Sequence, residues 1–191
     1  MARPSMAGQR REEILDALEK CILEKGIQAT SLENIAEKAE MKRTILRHYI
    51  GNRDDIICAL SARWTAKYSQ EWQDVIAWLP AKNRTAALID SMFSIRAGDM
   101  ISSTIIGEAL FSEAKRLDAI KQDQQKSMAE FLQHFSDALS QDFPEASPER
   151  IELVALTCYS NYLMYESLLP LNLVDEIHKL KQATTLLLEL F

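Results

Sequence analysis

The sequence is poor in the residues that tight turns require. Among 191 residues there are only five Gly and five Pro, fewer than a sheet protein with many short loops usually needs. Leu, Ala, Glu, Lys, Gln and Met dominate long stretches instead, and all of them favour helices. The composition therefore predicts an all-α protein.

Cysteine and histidine are also scarce, which limits the chemistry available to the chain. Cys21, Cys58 and Cys158 include no Cys-x-x-Cys pair, so we expect neither a disulfide framework nor a zinc knuckle, and each is predicted to be a small core residue. A di-iron helical bundle needs Glu-x-x-His pairs, whereas Glu130 and His134 are four residues apart. Phosphate-binding Gly loops, Gly-x-Ser-x-Gly and His-Glu-x-x-His are missing from the sequence. We therefore expect no enzyme, no metal and no cofactor.

Long apolar runs are absent as well. No run reaches the length of about 18 residues from which a membrane-spanning helix is suspected. The first eight residues lack the apolar core of a signal peptide and are expected to form a flexible arm. The expectation is a cytoplasmic protein with no membrane partner.

Charge is distributed unevenly along the chain. The net charge of −6 by itself disfavours nucleic acid, because DNA affinity depends on neutralised phosphates. Residues 1–63, however, contain 11 Lys and Arg against 10 Asp and Glu, and the remainder contains 11 against 18. Residues 42–53 include Lys42, Arg43, Arg47 and Arg53 and no acid. This local basic patch on an acidic chain is a candidate site for DNA.

Hydrophobic periodicity and capping residues predict nine helices. Gly26 should end the first helix, and Thr30 with Glu33 should form a capping box before the second, which begins near Leu32. Asn52 should cap the fourth, and Ser147 followed by a Pro should open the eighth. Apart from the second helix, the predicted spans are, in chain order, 9–25, 42–49, 53–79, 83–97, 100–116, 118–142, 148–169 and 173–190.

The third predicted helix, residues 42–49, has two different sides. Ile45 and Tyr49 are four residues apart and are predicted to face inwards, and so are Leu46 and Ile50. The other side would carry five polar residues: Lys42, Arg43, Thr44, Arg47 and His48. Such an outer face suits the major groove, where Arg pairs with guanine and Lys or Thr contacts phosphates or other base edges. With the capped helix before it and the short break at residues 39–41, the pattern is that of a helix-turn-helix.

From the first helix to the start of the fourth, the sequence resembles the TetR family of transcriptional regulators. The resemblance is carried by Lys25-Gly26, Thr30-Ser31-Leu32-Glu33-Asn34-Ile35-Ala36, Ala39-Glu40-Met41, Leu46-Arg47-His48-Tyr49-Ile50 and Asn52-Arg53-Asp54-Asp55-Ile56. Three positions depart from the family pattern. Glu40 stands where Gly is frequent and where a positive φ is costly for Glu; Arg47 replaces a Tyr that contacts phosphate; and Ile50 replaces a Phe.

The resemblance implies a DNA-binding domain, residues 1–53, followed by a helical bundle, residues 54–191, that binds a ligand and forms the dimer. It implies phosphate contacts by Thr30, Ser31 and Arg53, with further backbone charge from Arg10 and Arg11. Phosphate contacts position the protein, whereas base contacts distinguish one DNA sequence from another. Arg43, Thr44 and Arg47 are the candidates for base readout. Lys42 and His48 complete the expected contact set on double-stranded operator DNA.

The C-terminal part is expected to hold the effector and the dimer interface. Four aromatic residues on the central helices of the bundle are candidates to line an apolar pocket: Phe93, Phe111, Tyr162 and Tyr165. The helices at 148–169 and 173–190 are apolar on most sides, which indicates burial against more than their own domain. We therefore expect a homodimer through these two helices, the arrangement that the family uses.

Together these features predict a repressor that a small, largely apolar effector releases from its operator. A second interpretation is a protein-interaction module that kept the helix-turn-helix without DNA binding, which the acidic net charge and Glu40 allow. A helical-bundle enzyme is the least favoured alternative. The sequence does not identify the effector, the operator or the regulated genes.

Overall fold

The computed structural model describes residues 5–94 and 99–191, and within these ranges the regular elements are all helical. The all-α prediction is confirmed. The helices are α1 (Met6–Lys25), α2 (Leu32–Lys38), α3 (Arg43–Ile50), α4 (Arg53–Trp78), α5 (Arg84–Met92), α6 (Asp99–Glu113), α7 (Asp118–Asp142), α8 (Pro148–Leu168) and α9 (Val174–Leu186). Short 3-10 turns follow α8 at Leu169–Leu171 and α9 at Leu187–Leu190.

The helices pack into two compact units. Unit 1 comprises Met1–Ala66 with Ile105–Gln124, and unit 2 comprises Lys67–Thr104 with Gln125–Phe191. The predicted division at residue 53 concerns function and stays a prediction. Packing instead assigns the first half of α4 and the corner between α6 and α7 to the unit that contains the N-terminal helices.

Several predicted helix ends need correction. The first helix begins at Met6, because the Ser5 hydroxyl accepts a hydrogen bond from the Gly8 amide at 3.1 Å and caps it earlier than residue 9. The helix predicted at 83–97 ends at Met92, where Ser94 turns back to donate to the Ser91 carbonyl at 2.8 Å; residues 95–97 of that prediction lie outside the described residues. The last helix tightens into a 3-10 turn after Leu186.

The start of α4 confirms the predicted Asn52 cap. The Asn52 side-chain oxygen accepts from the amide of Asp54 at 2.8 Å, and the Asp55 carboxylate accepts from the Asn52 amide at 2.8 Å. Gly51 ends α3 with φ +104°, and a Cβ at this position would clash with that Asp55 carboxylate. Glycine is therefore required both by the backbone conformation and by the cap beside it.

Each unit has its own apolar core. In unit 1, Ile14, Leu18, Ile35, Leu46 and Ile56 are fully buried. The predicted cysteine roles hold for Cys21 and Cys158, which are buried, whereas Cys58 is half-buried. Burial raises the pKa of the Cys158 thiol to about 12, as expected for an inert core thiol rather than a reactive one.

Candidate nucleic-acid interface

Helices α2 and α3 form the predicted helix-turn-helix within unit 1. The break between them occupies residues 39–42, and the Met41 amide closes it by donating to the Ala36 carbonyl at 2.9 Å. Glu40 has φ +54°, the left-handed conformation that is costly for a residue with a Cβ. The positive φ that was expected here, because Gly is frequent at this position in the family, is therefore present at Glu40.

The capping box of α2 lies one residue later than predicted. Ser31 is the N-cap: its hydroxyl accepts from the Asn34 amide at 3.2 Å, and the Asn34 side chain accepts from the Ser31 amide at 3.0 Å. The predicted pair of Thr30 and Glu33 is wrong, because Thr30 is buried and its hydroxyl donates to the Gly26 carbonyl at 2.9 Å. A buried and occupied hydroxyl cannot reach a phosphate here, so we remove Thr30 from the candidate contacts.

The outer face of α3 carries the polar residues that the sequence placed there. All five are exposed: Lys42, Arg43, Thr44, Arg47 and His48. On the inner side Leu46 is fully buried, while Tyr49 and Ile50 are half-buried. The inward assignment of Ile45 is wrong, since 43% of this residue is exposed. Ile45 is thus an exposed apolar side chain on α3, and it is of the type that contacts thymine methyl groups in the major groove.

Arg53 lies at the start of α4 and joins it to the segment before α2. Its guanidinium donates to the Thr30 carbonyl at 2.6 Å and to the Ile27 carbonyl at 2.5 Å, and 26% of its side chain is exposed. This arrangement gives Arg53 a structural role that the sequence did not reveal. The phosphate contact predicted for it stays a prediction.

Arg11 has a comparable role at the other end of α3. It donates to the carbonyl of Tyr49 at 3.2 Å, in the last turn of that helix, where carbonyls have no partner within the helix. Arg10 is instead paired with Glu13 at 2.6 Å on the exposed side of α1. Of Arg10 and Arg11, therefore, it is Arg11 that contacts α3.

One acidic residue lies next to the basic face of α3. Glu33, on α2, forms an ion pair with Arg43, and both side chains are more than half exposed, at 60% and 51%. Within the described residues, Lys42 and Arg47 form no such pair. Arg43 is thus distinguished from its basic neighbours by a carboxylate partner.

A buried carboxylate connects the α6–α7 corner to the rest of unit 1. Glu113 is 2% exposed and accepts from the Gln28 side chain at 2.5 Å and from Arg116 at 2.5 Å. Arg116 also donates to both carboxylate oxygens of Asp54, at 2.6 and 2.8 Å. Hydrogen bonds from Arg116 hold the pKa of Asp54 below its usual value. Sequence patterns do not reveal this network, because Gln28 and Asp54 lie far along the chain from Glu113 and Arg116.

Three of the four predicted pocket residues lie together in unit 2. Phe93 and Tyr165 are buried with ring centroids 5.1 Å apart, and Tyr162 lies 6.0 Å from Tyr165. The Tyr165 hydroxyl donates to the Ser94 carbonyl at 3.0 Å. Phe111 belongs to α6 and is 58% exposed, so its prediction as part of an apolar pocket is not supported by burial.

Neither a metal site nor a membrane-spanning helix is found among the described residues. In the described ranges, no group of three or more His, Cys, Asp or Glu side chains is arranged to hold a metal ion. Among the described helices, none combines the length and the apolar character needed to cross a membrane.

Residues 14–60 match the family model described as bacterial regulatory proteins of the tetR family. A TetR transcription regulator from Haloarcula marismortui is 14% identical, with a TM-score of 0.79 over 96% of this chain and 98% of that chain. GusR from Salmonella enterica is 16% identical, with a TM-score of 0.74 over 98% and 100%. A transcriptional regulator from Saccharomonospora viridis in complex with choline is 9% identical, with a TM-score of 0.79 over 95% and 96%. No curated protein sequence matches this chain.

The fold and the exposed basic face of α3 define a helix-turn-helix DNA-binding protein. The match of residues 14–60 shows that the chain contains the DNA-binding domain of the tetR family of bacterial regulatory proteins, and the chain as a whole has the fold of solved TetR-family transcriptional regulators. Members of this family act by binding DNA and are not enzymes, in agreement with the prediction from the sequence.

Proposed function

We propose that the protein is a dimeric repressor that binds operator DNA with α3 in the major groove and leaves it when a small effector binds. The observation that carries this proposal is the exposed face of α3, on which two Arg, one Lys, one Thr and one His are all accessible. A helix of this length and chemistry matches the reading element of a helix-turn-helix.

Within this face we assign different roles to different side chains. Arg43, Thr44 and Arg47 read base edges, with Arg able to donate twice to guanine O6 and N7. Lys42, His48, Ser31 and Arg53 are assigned to phosphates and set the register of the protein on DNA. Ile45 joins the first group as an apolar contact for thymine.

The dimer is proposed to form through α8 and α9. Leu153, Leu156, Leu163 and Met164 lie on one side of α8 and are between 40% and 59% exposed. Near the end of the chain, Leu186 and Leu190 are 57% and 56% exposed. Apolar side chains repeated on one helix face are typical of an interface, and a twofold pairing presents two copies of α3 to half-sites about one helical turn of DNA apart.

The effector is proposed to be small and largely apolar and to bind beside the aromatic residues of unit 2. Phe93, Tyr162 and Tyr165 form part of a larger cluster that includes Phe131, whose ring centroid lies 5.9 Å from that of Tyr162. Aromatic rings also attract small organic cations, and the similar structure from Saccharomonospora viridis is in complex with choline. Addition of such molecules to the protein–DNA complex tests this: an effector shifts the DNA-binding curve, whereas a non-effector leaves it unchanged.

DNA binding itself is tested by titrating purified protein onto the DNA upstream of its own gene at several salt concentrations. Phosphate contacts make binding weaken steeply as salt rises. Saturable, salt-dependent binding supports the repressor. Absence of binding to this DNA and to a selected genomic pool supports the alternative of a protein-interaction module.

A further inference from the structure

The pair formed by Glu33 and Arg43 places a carboxylate beside a side chain that we assign to base readout. Glu33 is on α2 and Arg43 is the first residue of α3, so the pair bridges the two helices of the motif. Their side chains remain 60% and 51% exposed. An exposed pair of this kind contributes little to folding, typically below about 1 kcal/mol, so folding stability is a weak reason for its presence.

The pair has a direct consequence for which DNA groups Arg43 can contact. A guanidinium has five N–H donors in a fixed plane, and one carboxylate occupies at most two of them. The remaining donors stay available for a guanine edge while Glu33 holds the side chain in place. A phosphate, by contrast, carries a full negative charge that the Glu33 carboxylate repels, so Glu33 disfavours a phosphate contact by Arg43.

We propose that Glu33 is a specificity-determining residue, which restrains Arg43 from binding the phosphates of any DNA and directs it to the correct base edge. This inference rests on the proposed DNA interface of α3. Non-specific complexes are held almost entirely by phosphate contacts, so they lose more from the restraint than the operator complex does. Glu33 therefore weakens binding to all DNA but increases the ratio between operator and non-specific affinity.

The chain supplies a matched control. Glu37 lies one turn further along α2, is also exposed, and forms no ion pair within the described part of the chain. Glu37→Gln changes net charge as Glu33→Gln does, without releasing Arg43. A difference between the two variants thus reports the pair and not the charge.

The test measures dissociation constants for the DNA upstream of the protein's own gene, used as the operator, and for a random duplex of equal length, at one salt concentration. The proteins are wild type, Glu33→Gln, Glu37→Gln, Arg43→Ala and the double variant Glu33→Gln/Arg43→Ala, each checked for folding by circular dichroism. We expect Glu33→Gln to tighten random-duplex binding by about three- to tenfold and operator binding by less, so that the affinity ratio falls. Glu37→Gln should leave the ratio within about twofold of wild type.

The double variant decides whether Arg43 mediates the effect. Glu33→Gln should leave the ratio unchanged in the Arg43→Ala background, because no guanidinium remains to be restrained. An unchanged ratio in the single Glu33→Gln variant, or an equal fall in the Arg43→Ala background, would overturn the proposal. A wild-type protein that shows no preference for any DNA would overturn the proposed function as well, which separates the two failures.

Discussion

The guanidinium of Arg53 donates a 2.6 Å hydrogen bond to the carbonyl oxygen of Thr30, across the segment that enters the helix-turn-helix. A second bond, at 2.5 Å, reaches the carbonyl of Ile27. The loop between α1 and α2 is thereby fixed to the start of α4. Because the same residue is assigned to a phosphate, Arg53 connects the geometry of the motif to its DNA contact.

Arg53→Ala should lower the free energy of unfolding by about 2 kcal/mol, because it removes charged donors from two loop carbonyls. Arg53→Lys should recover only part of this loss, since an ammonium group cannot reproduce the planar fork of a guanidinium. Urea denaturation followed by circular dichroism measures both. Arg47→Ala is the control: this exposed residue should change stability by less than about 0.5 kcal/mol. Equal stability of wild type and Arg53→Ala would contradict the structural role.

Glu40→Gly should stabilise the protein by about 0.5–1 kcal/mol. The φ of +54° is costly for Glu but not for Gly, and this gain exceeds the entropy that Gly adds to the unfolded chain. Glu37→Gly, in the interior of α2, is the matched control and should destabilise by about 1 kcal/mol. Thermal unfolding distinguishes the two signs. A lower melting temperature for Glu40→Gly would mean that the Glu40 side chain makes a stabilising interaction.

The Arg116–Asp54 pair should give unfolding a pH dependence in the acid range. Hydrogen bonds from Arg116 lower the pKa of Asp54 from its ordinary value of 3.8. The pair therefore contributes its full stabilisation at pH values above 3.8, and it loses this contribution as the pH falls below 3.8 and through the lowered pKa. The stability difference between wild type and Asp54→Asn should therefore narrow from pH 6 to pH 3. The Asp54 side chain is 42% exposed, so the full difference should stay below about 1 kcal/mol.

Arg116→Ala provides the control for this pH effect. Without the guanidinium, the pH-dependent effect of Asp54→Asn should shrink, because the largest cause of the lowered pKa is gone and only the weaker attraction of Arg53 remains. A pH-dependent difference that persists undiminished in the Arg116→Ala background would assign it to another group.

Leu156→Glu/Leu163→Glu should convert the dimer to monomers, because it places two carboxylates on the exposed apolar face of α8. Sedimentation velocity at several protein concentrations measures the change. Leu23→Glu is the control, since Leu23 is exposed to a similar extent, 41%, but lies on α1; it should leave the dimer intact. A dimer that survives the α8 substitutions would place the interface elsewhere.

The sequence predicted most of the fold because its helix signals are local. Asn52 and Ser147 act as the N-caps that their positions indicated. The Thr30 prediction failed because two adjacent residues, Thr30 and Ser31, both have the side chain of an N-cap, and burial of Thr30 decides between them. Propensity alone cannot resolve such a choice.

The site was predictable in composition but not in its contacts. Periodicity correctly placed Arg43 and Arg47 on the exposed face of α3. It could not show that Glu33 pairs with Arg43, or that Glu113 is buried against Gln28, since neither pair has a spacing that sequence patterns recognise. Ile45 was misplaced because α3 is short, and one exposed apolar residue changes its apparent inner face.

The most direct test of α3 as the reading helix is the binding of purified protein to the DNA upstream of its own gene, across a salt series. It compares wild type with Arg43→Ala/Arg47→Ala. We expect wild type to bind saturably as a dimer, to weaken steeply with salt, and to lose this binding in the double variant while circular dichroism and melting stay unchanged. Binding of the double variant with wild-type affinity would contradict the assignment of α3 as the reading helix. Failure of the wild type to bind this or any selected DNA would contradict the repressor itself.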